Sequence, residues 1–229
     1  MFQDKVIVIT GGAGGIGKCI AEEFRKSGAQ VCVIDCAEGD HYVGDIADQA
    51  TLETFANTVI QKYGKVDVLV NNAGVVDDAY LLMINEDSLS RSLDINIKGY
   101  FHCAQQAALK MMKNRAGKII NMSSVSSILA LEGQAVYSAT KGAVNSMTAV
   151  LAKELARYGI QVNAVAPGFV ETEMIEAIPE EKKQEYLKNL PAKRFCKTEE
   201  IANMVSLLAS DKCSYMTGQV LVLDGGLSL

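Results

Sequence analysis

A chain of 229 residues that is 49% hydrophobic and 21% charged can bury one large core, and residues 1–229 are expected to form a single domain. No apolar run reaches bilayer length, and the short Val6 to Ile9 run behind Met1 to Lys5 is no signal peptide, so a cytoplasmic protein with no membrane segment is expected. A net charge of −5, with no basic run carrying interleaved aromatics, argues against nucleic-acid binding.

The chain opens with a β-branched run, Lys5 to Thr10. It ends in Thr10-Gly11-Gly12-Ala13-Gly14-Gly15-Ile16-Gly17, and Ile16, Ile20, Ala21 and Phe24 then recur at helical spacing up to Gly28. A second apolar strand, Gln30 to Ile34, closes at Asp35. Strand, glycine loop, helix and strand within about thirty residues is the setting in which a glycine pattern points to a dinucleotide. Backbone N–H groups of Gly11, Gly14, Gly15, Ile16 and Gly17 would meet the pyrophosphate, which can approach only where side chains are absent.

Asp35 can accept hydrogen bonds from both adenosine ribose hydroxyls and would repel a 2′-phosphate. Gly14 and Cys36 stand where an Arg or Lys would serve such a phosphate, so NAD(H) is favoured over NADP(H). Between Asp35 and Asp45 the chain is too short for the usual crossover helix, and an extended loop is predicted before a strand at His41 to Val43. Asp45 and Ile46 would border the adenine ring.

Gln49 to Tyr63 reads as an amphipathic helix stopped by Gly64, and Val66 to Val70 as a buried strand ending in Asn71-Asn72-Ala73-Gly74. A helical pattern from Asp87 to Asn114 carries Asn96 at its middle, where its low propensity asks for a polar role. Gly117 to Met122 is a strand followed by Ser123 and Ser124. The helix from about Ala135 to Tyr158 sets Tyr137 and Lys141 on one face. An ammonium about 4 Å from the phenol is worth roughly 4 kcal/mol at an effective dielectric near 20, which would lower the Tyr137 pKa by about three units.

Gln161 to Ala166 is a further strand closed by Pro167-Gly168. Glu171 to Leu190 is helical in flavour, with Met174, Ile175, Ile178, Tyr186 and Leu187 on one side, and reads as part of a mobile cover over about 169–195. Thr198 to Ser210 starts like a capping box with Ile201 at its fourth position, and Gln219 to Leu223 is the last strand. The alternation predicts an α/β doubly wound parallel sheet, a Rossmann fold of about seven strands without a helix between the second and third. Cys19, Cys32, Cys36, Cys103, Cys196 and Cys213 lack ligand or redox spacing, as do His41 and His102, so free thiols and no metal are expected.

Taken together these motifs resemble the short-chain dehydrogenases/reductases along essentially the whole chain. The glycine pattern, Asn71 to Gly74, Asn96, Ser124, Tyr137-x-x-x-Lys141 and Pro167-Gly168 occur in that family's order. The resemblance implies that Tyr137 exchanges the proton and that Ser124 holds the substrate oxygen, with Ser123 its rival. It implies that Lys141 binds the nicotinamide ribose and lowers the Tyr137 pKa, and that Asn96 positions a water. Asn72, Ala73, Gly74, Pro167, Val170 and Thr172 would line the cofactor, the last two at its carboxamide. It also implies a dimer interface within a homotetramer, built by the helices around Asn96 and after Tyr137.

Pro167 to Met174 and the carboxyl end from Arg194 look most like the 3-oxoacyl-acyl-carrier-protein reductases. Those enzymes generally resemble NADPH users, against which Asp35 stands. Arg115 suits an acidic carrier protein, while Tyr158, after Arg157, replaces a second basic residue. An acyl-thioester ketone thus competes with a hydroxy acid, sugar alcohol or steroid as substrate. A non-catalytic dinucleotide sensor is the remaining alternative.

Overall fold

The computed structural model describes residues 1–229. Seven parallel strands form one sheet in the order β3-β2-β1-β4-β5-β6-β7. The strands are β1 Val6–Thr10, β2 Gln30–Asp35, β3 Tyr42–Val43, β4 Val68–Asn71, β5 Gly117–Met122, β6 Ile160–Pro167 and β7 Val220–Leu223.

Side-chain alternation explains why β1 is apolar from Val6 to Ile9. Ile7 and Ile9 enter a core with Ile20, Ala21 and Phe24 of helix α1, Gly15–Lys26, and Val205 of α8, Thr198–Ala209. Val6 and Val8 enter the opposite core, with Leu52 and Phe55 of α2, Gln49–Tyr63, Met111 of α4, Tyr100–Asn114, and Ala152 of α5, Ala135–Leu155. A strand covered on both faces has no room for a polar alternate.

No helix is long and apolar enough to cross a membrane, and all six cysteines are free thiols. Asp48 caps α2 by accepting from the N–H groups of Ala50 and Thr51, and Gly64 ends that helix at φ 75°. The β2–β3 connection is a loop, as the chain length requires. Asp35 holds it through the Ala37 N–H at 3.0 Å, and His41 Nε2 lies 2.9 Å from the Ala37 carbonyl.

Three local expectations need correction. The Asp87 to Asn114 helix is not uniform: α3, Glu86–Leu93, passes into a π-helical turn, Asp94–Gly99, before α4. The extra residue in that turn brings Asn96 inward, where it is fully buried. The α8 cap sits one residue earlier than read, because Glu200 turns back to accept from the Lys197 N–H at 2.9 Å and binds Arg194 as well. The segment read as a cover holds two helices, α6 Glu173–Glu176 and α7 Glu180–Asn189, broken at Pro179, and Met174 faces solvent. Phe169 anchors it by stacking on Tyr186 at 4.5 Å, with Phe195 edge-on at 6.1 Å.

Candidate active site

The site lies at the carboxyl ends of the strands, where the sheet order reverses on either side of β1. The glycine loop is fastened to the end of β4 by side chains. Thr10 Oγ1 accepts from the N–H groups of Asn72 and Ala73, each at 3.0 Å. Asn72 Nδ2 donates to the carbonyls of Thr10 at 3.1 Å and Gly11 at 2.8 Å. The approach is so close that a Cβ on Gly17 would fall 2.0 Å from the Gly11 oxygen.

Helix α1 starts behind Gly14 with no side-chain cap and no acidic residue in its first turn. Its first N–H groups therefore have no carboxylate or hydroxyl partner within the protein, which fits a pyrophosphate. A side chain on Gly14 would meet no protein atom within 4 Å, so packing does not demand glycine there. Thr172 Cγ2 comes near the other side of this loop, 3.8 Å from where a Cβ on Gly15 would be. Val170 is buried and bridges Cys196, and Thr172 Oγ1 donates to the Val170 carbonyl at 3.3 Å. Pro167 ends β6 beside them.

Asp35 links the two halves of the adenosine end. Its Oδ2 accepts from Ala13 N–H at 2.9 Å and its Oδ1 from Ala37 N–H, which leaves each oxygen a free lone pair for a hydroxyl. No Lys or Arg occurs from Ser27 to Gln61, whereas Asp35, Glu38, Asp40, Asp45, Asp48 and Glu53 do. Cys36 is exposed beside Asp35. Asp45 is exposed at the next strand end, while the Ile46 side chain turns into the core against Gly99.

At the reacting end, Ser124 follows β5 and caps a short turn by accepting from the Ser126 N–H at 3.1 Å. The Ser124 hydroxyl stands close enough to Tyr137 to favour the ionised phenol. Ser123 instead donates to the Lys141 carbonyl at 3.3 Å from a buried position, so of the two serines Ser124 shares the site with the phenol. A relay missed in the sequence backs Ser124. Its Oγ lies 3.2 Å from Ser126 Oγ, which donates to Gln134 Oε1 at 2.8 Å, and Gln134 Nε2 donates to Asp78 at 3.1 Å. These residues lie in turns with no period to mark them.

Lys141 is 3% exposed. Its Nζ donates to the Met122 carbonyl at 2.7 Å and to the Tyr100 hydroxyl at 3.3 Å, and lies 5.7 Å from the Tyr137 ring centroid. Burial pulls its pKa down to about 7. The expected lowering of the Tyr137 pKa is therefore overturned. Burial raises that phenol above its ordinary value, the nearby Ser124 hydroxyl offsets part of the rise, and Asp78 adds to it. A lysine that is itself half neutral near pH 7, and sits against the ring face, cannot supply the assumed full charge at the hydroxyl.

Asn96 is occupied by the protein itself. Its Oδ1 accepts from Val75 N–H at 2.9 Å, and its Nδ2 donates to the Val75 carbonyl at 2.9 Å and to Thr140 Oγ1 at 3.2 Å. The amide clamps the loop after Gly74 to α5, and only one Oδ1 lone pair is left for a water. Gly74 lies between, since a Cβ there would be 3.2 Å from Asn96 Oδ1 and 3.6 Å from Lys141 Nζ.

A family model described as enoyl-(acyl carrier protein) reductase matches residues 11–228. The 3-oxoacyl-acyl-carrier-protein reductase of Thermotoga maritima is 43% identical over 242 residues, which cover 99% of this chain and 98% of that protein. Its counterpart in Staphylococcus aureus is 38% identical over 244 residues, covering 99% of each. Among solved structures, levodione reductase superposes with a TM-score of 0.95 at 29% identity, over 100% of this chain and 99% of that one. A mutant short-chain dehydrogenase/reductase of Serratia marcescens does so at 0.94 and 32%, again over 100% and 99%.

Proposed function

The chain belongs to the short-chain dehydrogenase/reductase family, and on that footing we propose that it reduces a 3-oxoacyl thioester to the 3-hydroxyacyl thioester with NADH. The bound nicotinamide dinucleotide supplies the hydride. The chain's own residues handle the oxygen: Ser124 holds it by a hydrogen bond, and Tyr137 delivers the proton from its hydroxyl. One observation carries this reading: Tyr137 and the buried Lys141 share one face of α5, with Nζ 5.7 Å from the phenol ring centroid, at the strand ends where the cofactor would lie.

Lys141 holds the nicotinamide ribose hydroxyls through Nζ, and the remaining Asn96 lone pair holds the water that reaches it. The backbones at Val170 and Thr172 hold the carboxamide. Asp35, inside a segment rich in carboxylates and free of cations, favours NADH over NADPH. Arg115 Nη2 donates to the Arg157 carbonyl at 2.6 Å, and two guanidinium-bearing residues so close together ahead of β5 and β6 would suit an acidic carrier protein. Leu93, Phe101 and Leu109 of α3 and α4 and Val150 of α5 are exposed apolar residues suited to pairing copies into a tetramer.

Asp35 also favours a second reading, an NAD-dependent enzyme acting on a different hydroxy compound, because 3-oxoacyl reductases generally resemble NADPH users. Purified protein assayed with an acetoacetyl thioester and each reductant separates the readings. NADH consumption is expected, and Tyr137→Phe should lose about 10²- to 10⁴-fold in turnover while still binding NADH. Unchanged turnover in that variant would overturn the mechanism. A preference for another ketone would favour the second reading, and reduction of a crotonyl thioester instead would move the reaction to the double bond.

A further inference from the structure

Tyr100 opens α4 immediately after the π-helical turn and is fully buried. Its hydroxyl donates to the Met122 carbonyl at 3.2 Å and accepts from Lys141 Nζ at 3.3 Å. Lys141 Nζ donates to the same Met122 carbonyl and stands 5.1 Å from the Tyr100 ring centroid. Ammonium, phenol and carbonyl thus close a triangle. Phenylalanine would fill the same volume without a hydroxyl to satisfy, so the use of tyrosine calls for a reason, and both of its hydrogen bonds go to the cradle of one lysine.

The ionisable groups facing Lys141 are two phenols, Tyr100 from α4 and Tyr137 from its own helix. Strand β5 offers the Met122 carbonyl, and the loop after β4 offers Gly74, which carries no side chain. No carboxylate offsets the burial of the ammonium. Hydroxyl and ring face are therefore the side-chain groups that favour its charged form.

We propose that Tyr100 is a positioning residue of the active site: its hydroxyl and ring hold the Lys141 ammonium against the Met122 carbonyl, beneath Tyr137. The proposal rests on the reading of Lys141 as part of the catalytic machinery. It adds a second tyrosine, which touches the lysine alone, to the one that meets the substrate.

The test titrates Lys141 directly. Protein labelled with ¹³C at lysine Cε is followed by NMR against pH without cofactor, and Lys141→Met assigns the resonance. Removing an acceptor from a buried ammonium disfavours its charged form. Tyr100→Phe should therefore move the Lys141 midpoint down by at least about half a pH unit. Tyr100→Met, which keeps the bulk and lacks both ring and hydroxyl, should move it at least as far.

The pH limb of kcat/KM should follow, and the KM for NADH should rise. A Lys141 midpoint within about 0.2 of the original in both variants would overturn the proposal. Because the titration needs no turnover, it separates two failures. A protein without reductase activity whose midpoint still moves would refute the proposed function and leave the positioning role standing; activity with an unmoved midpoint would do the reverse.

Discussion

Replacing Lys141 by Met tests how far the site has been built at the expense of the fold. Burial takes the lysine from an ordinary 10.5 to about 7, which corresponds to about 5 kcal/mol of unfavourable interaction with the charged form. That figure is the burial cost alone, and the hydrogen bonds to Met122 and Tyr100 offset part of it. Methionine matches the lysine stem in length, and the Met122 carbonyl keeps the Tyr100 hydroxyl as a donor. Allowing about 1–3 kcal/mol for those hydrogen bonds and imperfect repacking together, Lys141→Met should be more stable than the natural chain by about 2–4 kcal/mol at pH 6.

The sign with pH is fixed by the direction of the shift. The folded pKa lies below the unfolded one, so between about 7 and 10.5 the unfolded chain binds more protons and stability rises with pH. The penalty is full below about 7 and fades toward 10.5. Urea unfolding followed by far-UV circular dichroism, at fixed protein concentration and a series of pH values, reads the difference. The gap between variant and natural chain should be largest under mild acid, vanish as pH rises and have reversed by about pH 10. A variant less stable under mild acid, or a gap independent of pH, would refute this account of the buried lysine, while turnover is expected to collapse in either case.

Asp35→Asn keeps an acceptor for one of the two backbone N–H groups and removes the charge. The ratio of kcat/KM for NADH over NADPH should fall by about tenfold or more, and a ratio that stays put would dismiss the carboxylate as the discriminator. Asn72→Ala removes two bonds that tie the glycine loop to β4. A loss of about 1–3 kcal/mol in chemical denaturation is expected, together with weaker NADH binding in fluorescence titration; unaltered binding would mean that the loop is held without this staple.

The strands were legible because a sheet buried on both faces is written largely as apolar runs, and Val6 to Ile9 of β1 and Val68 to Val70 of β4 are such runs. The missing crossover helix followed from chain length alone, since the residues between Asp35 and Tyr42 can only be extended. The spacing of Tyr137 and Lys141 placed both on one face, and they do share it. Depth of burial was not legible. Helical period gives direction and not distance from solvent, so the ammonium was credited with a full charge that its surroundings deny it.

Tyr100 was hidden for a related reason. In the period of an apolar helix a tyrosine reads as core, and what its hydroxyl meets comes from β5 and α5, distant in sequence. The Asn96 partner, Val75, lies across a loop without a period. The α8 cap was misframed because a lysine is a poor side-chain cap, and there it is the Lys197 backbone N–H that Glu200 accepts.

The brevity of the β2–β3 connection also bears on how the molecule behaves in concentrated solution. The outermost strand is two residues long, with Tyr42 packed on Phe55 at 5.1 Å between ring centroids. An incoming chain would find almost no free ladder to extend, and Glu38, Asp40 and Asp45 would repel an acidic newcomer. At this border the sheet is shielded from fibrous growth by being cut short, a protection that needs neither proline nor bulge.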